Sequence, residues 1–457
     1  MDRFNFERMA AVLFFIALAF TACLMPAQND TWWHLRAGQV IVETRSIPLH
    51  DTFSHTVNGG YWPDHEWLSQ VIFYVVYRAG GMPLLTAFAA AIVTLSWMMV
   101  WSLIPGRSLV RIGLSVLALG ATAGEWSIRP QIFTLLFLAV TARCLVRRRH
   151  ALLPLVFLIW ANLHGGVTLG VVFLGAATLV EIAAAGAIVT KPLIQMVIAT
   201  LLTMATPLGW SLWTEIPGSV ARLQSYRVQE WRPPDFTDPM LLPLLVLVVL
   251  FVVLFLRERP WRAISTDDVL LWASVAMFLP AFSLSRNLPA LEVAMVPAVG
   301  QLLSRRLSVK TSQQLRTERP LLNAGLVAAA LIAATVVVAG AWRAPSPRLA
   351  WQPLSSDAIA ALRSCPGPLY NTYDDGGYVI WFAPEVRVFI DSRQDPYPAD
   401  LVREHIAVED SGNYQALFTR FGIRCALGAT DSRVMQQLRE DGWRTSFSGT
   451  LSVLRQN

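Results

Sequence analysis

The chain has 457 residues, of which 54% are hydrophobic and only 15% charged. Soluble globular chains carry about 25% charged residues. With a mean hydropathy of +0.47, the composition excludes an ordinary soluble protein and points to an integral membrane protein. The net charge of +6 is not a nucleic-acid signature, because the basic residues fall largely in short loops between apolar runs, where they orient helices.

The first predicted span runs from Met9 to about Met25, behind Arg3 and Arg8. Positive-inside bias places the N-terminus in the cytoplasm and Asn29 outside. No clear small-x-small cleavage site follows, so the segment reads as an uncleaved helix. Next comes the external loop 27–67, with the stretch NDTWWHLRAGQVIVETRSIPLHDTFSHTVNGGYWPDHEW. It holds four of the seven histidines (His34, His50, His55, His65) and five carboxylates (Asp30, Glu43, Asp51, Asp64, Glu66). Trp32, Trp33, Tyr61, Trp62 and Trp67 are interleaved with them. A membrane-boundary belt accounts for the aromatics but not for the histidines and acids. Ionisable and aromatic groups gathered at a bilayer edge suit an amphiphilic, polar-headed ligand. Leu68–Arg78, ending at Gly80-Gly81, is too short to span and reads as an interfacial helix.

Ten further apolar runs follow, at approximately 82–104, 110–123, 131–146, 151–163, 167–189, 193–213, 240–256, 269–284, 288–303 and 321–341. With the first helix they give 11 predicted spans, several of them short enough to recruit flanking residues. Arg107/Arg111, Arg147-Arg148-Arg149, Lys191, Arg257/Arg259/Arg262 and Arg305/Arg306/Lys310 then all fall on the cytoplasmic side. The outer side receives Arg129 (in SIRPQ), His164 (in ANLHGG), the loop 214–238, and Arg286-Asn287 (in SLSRNLP). A cation at the mouth of an apolar bundle is costly unless it meets an anion or water. Arg129 and Arg286 are therefore candidate ligand contacts, with loop carboxylates or lipid headgroups as their structural alternatives. Gly165-Gly166 beside His164 equally suits close helix packing.

Composition changes after Ala341. Residues 344–353 are a linker, and 354–457 reads as an external soluble α/β domain, large enough to bury its own core. Its expected strands are 368–373, 386–390, 424–428, 444–448 and 451–454; its expected helices are 356–363, 400–408, 414–421 and 432–441. An oxidising compartment would allow Cys365 and Cys425 to form a disulfide. Asp374-Asp375-Gly376-Gly377 suits a strand-to-helix turn with free amides, able to hold an anion. Asp391, Arg393 and Asp395 follow a strand end, where functional groups are common; for both stretches, local capping and a structural ion pair are an equal alternative.

In the first loop, Asp30 is the best-placed general base for an acceptor hydroxyl or amine. His34 lies four residues later, on the same side if the segment is helical. The two could share a proton or bind a divalent metal. HEWLS is not a zinc-protease pattern, since Ser69 stands where the second histidine would be. No glycine-rich nucleotide loop is visible.

The arrangement resembles the C-type membrane glycosyltransferases, which use polyprenyl-phosphate-linked sugars. The resemblance rests on DTWWHLRAG, WPDHEWL, SIRPQ, WANLHGG, GGYVIW and FIDSRQD and covers nearly the whole chain. It implies a mainly α, polytopic helix bundle with a C-terminal α/β domain, in the bacterial inner membrane. It also implies transfer of a hexosyl or pentosyl group, with inversion, from a polyprenyl-phosphate donor to a lipid, glycan or protein at the external face. By it Asp30 is the catalytic acid or base; His34, Asp51 and Glu66 are further catalytic candidates from the residues of the loop itself. Substrate contacts would come from Trp33, His55, His65, Trp67, Arg129, His164, Arg286, Asn287, Asp391 and Arg393, the two first-named arginines as phosphate ligands. The adjacent Asp-Glu pair of many relatives is absent, since Thr31 follows Asp30. Expected partners are the donor and membrane lipids, not nucleic acid; a divalent metal is an open expectation. A transporter or flippase, or a non-catalytic protein that binds a lipid-linked glycan, is the alternative. Against transport stand the lack of an internal repeat and of broken helices in matching halves, and few intramembrane acids, chiefly Glu181 and Glu292.

Overall fold

Each predicted apolar run contains a helix. The structure, a computed structural model, describes residues 4–223, 229–306 and 319–456. Lys310 and residues 224–228 of the outer loop lie outside that range. Four helical stretches among the described residues are long and apolar enough to cross a membrane: Trp67–Trp101, Val167–Ala185, Pro239–Arg262 and Pro320–Arg343. The molecule is thus mainly helical, with one small sheet near its C-terminus.

The chain folds as two units. The first comprises Met1–Met25, Pro83–Gly209 and Gln229–Ala344. Its opening helix, Phe6–Ala22, starts where the Asn5 side chain accepts from the Arg8 amide at 3.0 Å, satisfying one of the donors that a helix start leaves open. The Leu288–Arg306 helix lies at the middle of this unit, with thirteen of its side chains buried. Its one acid, Glu292, accepts at Oε2 from the Thr122 hydroxyl at 2.7 Å, while Oε1 has no partner among the described residues. Towards its other end, Asp268 meets Arg305 and accepts from Gln301. The last apolar helix, Pro320–Arg343, is tied to the first by Trp342 Nε1 donating to the Cys23 carbonyl at 3.0 Å.

The second unit joins Pro26–Met82 and Trp210–Val228 to Pro345–Asn457. Its sheet has the order β1-β2-β4-β3, with β1 (Leu369–Asn371) parallel to β2 (Cys425–Ala429). β4 (Leu451–Arg455) runs antiparallel to both β2 and β3 (Arg444–Ser448), with an irregularity at Thr445/Phe447. The expected strand at 386–390 is not part of this sheet. Val388 instead forms a parallel bridge with Ser54, because the first loop lies against it: the His55 amide donates to Val388 O, and the Val388 amide to Phe53 O. Helices Ser356–Arg363, Ala399–Ser411, Gln415–Phe421 and Arg433–Glu440 appear where the periodicity places them. Cys365 and Cys425 are bridged across 60 residues, with Cα atoms 5.9 Å apart. In the chain-entropy picture a loop of that length is worth about 4 kcal/mol.

Two further helices carry the first loop. Asn29–Thr44 forms one, and its last residue is followed by Arg45 in the left-handed region. The other begins at Trp67 and loses helical geometry at Gly80 and Gly81, the latter at φ +63°. Glycine accepts such an angle without strain. The two helices touch backbone to backbone at Gly38, where a β-carbon would stand 2.0 Å from the Gln70 carbonyl oxygen. The sequence keeps a glycine there because nothing larger fits.

Gly38→Ala should therefore force the two helices apart and destabilise the second unit by about 1–3 kcal/mol. Thermal unfolding in detergent measures it, and an unchanged midpoint would show that the contact is not tight.

Candidate active site

Asp30 lies in the first turn of the Asn29–Thr44 helix and remains partly exposed. An acid in that position is favoured by the helix dipole. Its Oδ1 accepts from the Ser392 hydroxyl and from Trp33 Nε1, the latter at 3.2 Å. Ser392 is itself placed by Trp33 Nε1 at 3.1 Å and by Asn29 Nδ2 at 2.8 Å. Asn29 also donates to the Tyr373 carbonyl and accepts from the Gly377 amide at 2.6 Å. One carboxylate oxygen of Asp30 is thus held in a fixed direction by neutral donors.

Gly376 and Gly377 serve this geometry in a way the sequence reading did not anticipate. The Gly377 amide is taken by Asn29 rather than left open for an anion, and the helix it starts, Gly376–Phe382, has only seven residues. A β-carbon on Gly377 would stand 2.1 Å from Asn29 Oδ1, and one on Gly376 2.3 Å from the Ile390 carbonyl. Both glycines exist so that backbones can close around Asn29 and Asp391. Trp32 then packs on Phe382, with ring centroids 4.7 Å apart.

Asp51, Asp391 and Arg393 come together, but fully buried. Arg393 donates through Nε and Nη2 to the two oxygens of Asp391 at 2.8 and 2.7 Å, and through Nη2 to Asp51 Oδ1 at 2.5 Å. Tyr397 also donates to Asp391, at 2.5 Å. The Asp51 oxygens further accept from the Phe53 and Ser54 amides and the Ser54 hydroxyl. The guanidinium is roofed by Phe53 and Trp62 at 4.9 and 4.7 Å. These side chains have no exposed surface, which assigns them to holding the loop together rather than to touching a substrate. His55 has a similar part, with Nε2 2.8 Å from the Leu369 carbonyl; desolvation lowers its pKa.

His34, Glu66 and His65 form a third group. His34 is buried, stacks on Trp33 at 3.6 Å between centroids, and places Nε2 3.6 Å from Glu66 Oε2. His65 Nε2 is 3.8 Å from the other Glu66 oxygen, and its Nδ1 is 4.0 Å from Asp395. Desolvation opposes a charge on His65, but Glu66, Asp395 and the Pro63 carbonyl outweigh it, and the net pKa is raised. Trp67 opens the next helix, partly exposed. No group of three or more His, Cys, Asp or Glu side chains among the described residues is placed to hold a metal ion.

The remaining candidates belong to the first unit. Arg129 Nη2 lies 3.1 Å from Glu230 Oε2, and Arg286 Nη1 3.8 Å from Glu230 Oε1. Arg286 also sits 3.9 Å over the Trp231 ring. Two guanidiniums thus share one carboxylate, at partly exposed positions. His164 Nδ1 meets the Thr134 hydroxyl at 2.7 Å and accepts from the Gly166 amide, while a β-carbon on Gly166 would collide with Thr134 at 2.2 Å. Packing therefore accounts for ANLHGG. Asn287 donates to the Pro280 carbonyl at 3.0 Å and closes the end of the preceding helix.

One residue beside Asp30 escaped the sequence reading: Ser392, in the turn that follows Asp391, whose only sequence signal was its place between two candidate residues. Asp374 is exposed, and desolvation followed by the Asp30 carboxylate raises its pKa.

This architecture is similar to solved structures. The archaeal oligosaccharyltransferase AglB from Archaeoglobus fulgidus, in complex with an inhibitory peptide and a dolichol-phosphate, matches with TM-score 0.56 and 12% identity over 92% of this chain and 69% of that one. The apo form of the Archaeoglobus fulgidus oligosaccharyltransferase matches with TM-score 0.55 and 12% identity, over 94% and 70%. Its complex with Zn and sulfate gives 0.51 and 12%, over 91% and 67%. The likeness is one of fold. No protein-family model and no curated protein matches the sequence.

A pH prediction follows from Asp64, behind the Glu66 group. It is buried; Gln70 Nε2 donates to its Oδ1 at 2.6 Å, and Oδ2 has no partner among the described residues. Burial above all, with repulsion from Glu66, pushes its carboxyl up to about 7 against the pull of His65 and Gln70. The folded state therefore keeps a proton that the unfolded chain releases near 4, and stability is lost as pH rises through that window to about 7. Asp64→Asn removes the titration. Relative to wild type it should gain on the order of a few kcal/mol between about pH 5 and about pH 8. Unfolding in detergent at both values tests this; a difference independent of pH would refute it.

Proposed function

We propose that the chain is a membrane glycosyltransferase that moves a sugar from a polyprenyl-phosphate donor to a lipid, glycan or protein acceptor at the external membrane face. The observation that carries the proposal is Asp30: a partly exposed carboxylate in the first turn after the opening apolar helix, aimed by Ser392 and Trp33. The fold shared with an oligosaccharyltransferase whose structure holds a dolichol-phosphate supports this choice of donor. In the proposed step Asp30 accepts the proton of the acceptor hydroxyl or amine. The acceptor atom bonds to the sugar's anomeric carbon from the face opposite the leaving group. The carbon–oxygen bond to phosphate breaks, its electron pair leaves with the polyprenyl phosphate, and configuration inverts. Arg129 and Arg286, sharing Glu230, are suited to hold the departing phosphate. His34 and Glu66 keep Trp33, and through it Asp30, in position.

Asp30→Asn keeps the shape and loses the base, so transfer should fall by about 10²–10⁴-fold with little effect on folding. Ser392→Ala should cost less, about tenfold. Arg129→Ala and Arg286→Ala should raise the donor KM. Transfer rates normalised to folded protein, with and without a divalent cation, read all four. Wild-type transfer by Asp30→Asn, with loss in Glu66→Gln, would move the role to Glu66. If none of the variants matters, transport of a lipid-linked glycan becomes the better reading.

We further propose 11 spans in a bacterial inner membrane, with the N-terminus cytoplasmic and residues 354–457 external. The support is the one-sided distribution of arginine and lysine. A phosphatase fused to the C-terminus should be active, and one fused after Arg149 inactive; activity at Arg149 would invert the orientation.

A further inference from the structure

A crevice of about 190 Å³ opens in the second unit, at the C-terminal ends of the parallel strands β1 and β2. In open α/β sheets this edge is where ligands bind. Tyr370 and Leu427 come from the strands, Glu409 from the last turn of the Ala399–Ser411 helix, and Val434 and Met435 from the start of Arg433–Glu440. None of these residues has a part in the transfer step described above.

Two polar groups here want a partner, one buried and one about a third exposed. Tyr370 is 1% exposed, and its hydroxyl has no hydrogen-bond partner among the described residues, whereas the Glu409 side chain is 35% exposed. The Tyr370 ring is fixed against Phe418 and His405, with centroids 4.9 and 5.4 Å apart, so the hydroxyl cannot turn away. Glu409 has no arginine or lysine partner among the described residues; its nearest titratable neighbour is His405, with Nδ1 3.7 Å from Oε2. That histidine does not supply the missing charge. Its Nε2 is 3.2 Å from the Asn371 carbonyl, and burial pushes its pKa down to about 4. Desolvation, then Asp374, Asp375 and Asp410, push Glu409 up to about 7. Anions thus act on Glu409, and Leu427, Val434 and Met435 give the crevice apolar walls.

We propose that this crevice is a binding subsite for a small primary amine: Glu409 is the counter-ion of the ammonium group, the Tyr370 hydroxyl accepts from it, and Leu427, Val434 and Met435 enclose an apolar body. Cavities of about 150 Å³ accept a six-carbon ring, which sets the size of that body. A carboxylate or phosphate ligand is excluded by the like charge of Glu409 and its neighbours. The subsite stands independently of the sugar-transfer reading.

The test uses the purified full-length protein in detergent at about pH 8, where the amine is charged and Glu409 is ionised. Cyclohexylamine is titrated and followed by ligand-observed NMR, with cyclohexanol and cyclohexanecarboxylate as matched bodies. Saturable binding of the amine is expected, about tenfold or more tighter than cyclohexanol, with none for the carboxylate. Glu409→Gln should weaken the amine about tenfold and Tyr370→Phe by less, while both keep the wild-type unfolding transition. Val434→Trp, which fills the cavity, should abolish binding. If Glu409→Gln fails to fold, the amine-to-cyclohexanol ratio on wild type decides. Absence of saturable binding, equal affinity for amine and alcohol, or full affinity in folded Glu409→Gln or Val434→Trp would each overturn the proposal.

Discussion

The second unit depends on one buried guanidinium. Arg393 reaches from the FIDSRQD segment to Asp51, 342 positions earlier in the chain, while gripping its near neighbour Asp391. Taking such charges out of water costs several kcal/mol per ion, and only close geometry with additional donors offsets that. Here the offset comes from Tyr397, the Phe53 and Ser54 amides, and two aromatic rings over the guanidinium. A buried pair of this kind is weak evidence for net stability, yet breaking it by removing one partner costs about 3–5 kcal/mol. Its effect is therefore one of specification: the first loop has a single place to sit against residues 388–393.

That constraint sets the geometry at Asp30. With Asp391 and Arg393 locked inward, Ser392 between them meets the start of the Asn29–Thr44 helix. Gly376 and Gly377 let the backbones close to the distance at which the Asn29 side chain bridges Tyr373, Ser392 and Gly377. Alanine at Gly377 would push on Asn29 from both its side chain and its carbonyl. The motifs NDTWW, GGYVIW and FIDSRQD, hundreds of residues apart, are parts of one joint.

Much of this was readable in the sequence, and the gaps have physical causes. Hydropathy located every apolar helix, because an apolar run has few other ways to satisfy its backbone. Period-two and period-3.6 patterns found the β2, β3 and β4 segments and the helices around them. The 386–390 segment looked like another strand because it alternates like one; its partner is the first loop rather than the sheet, and no local pattern carries that information. The density of histidines and acids set the first loop apart but could not sort them. Asp51 and Asp30 look alike in sequence. Only the pairing of Asp51 with Arg393 shows that one is structural and the other faces outward. The glycine pair stayed open between anion binding and capping for a related reason, since an open amide and a close backbone approach require the same residue.

The sorting of acids within this unit carries the chemistry one step further. Asp51 and Asp391 meet a guanidinium, which cancels charge and leaves nothing for a substrate. Asp30 Oδ1 accepts from a hydroxyl and an indole, which fix the direction of that oxygen. Asp374 lies close enough to feel Asp30, at an exposed position. Two like charges kept near each other at a surface repel, a cost that selection ordinarily removes by substituting one of them. Asp374 also bears on Glu409 at the amine crevice. Within this unit, then, Arg393 is spent on fixing the first loop against residues 388–393, while a hydroxyl and an indole aim one oxygen of Asp30.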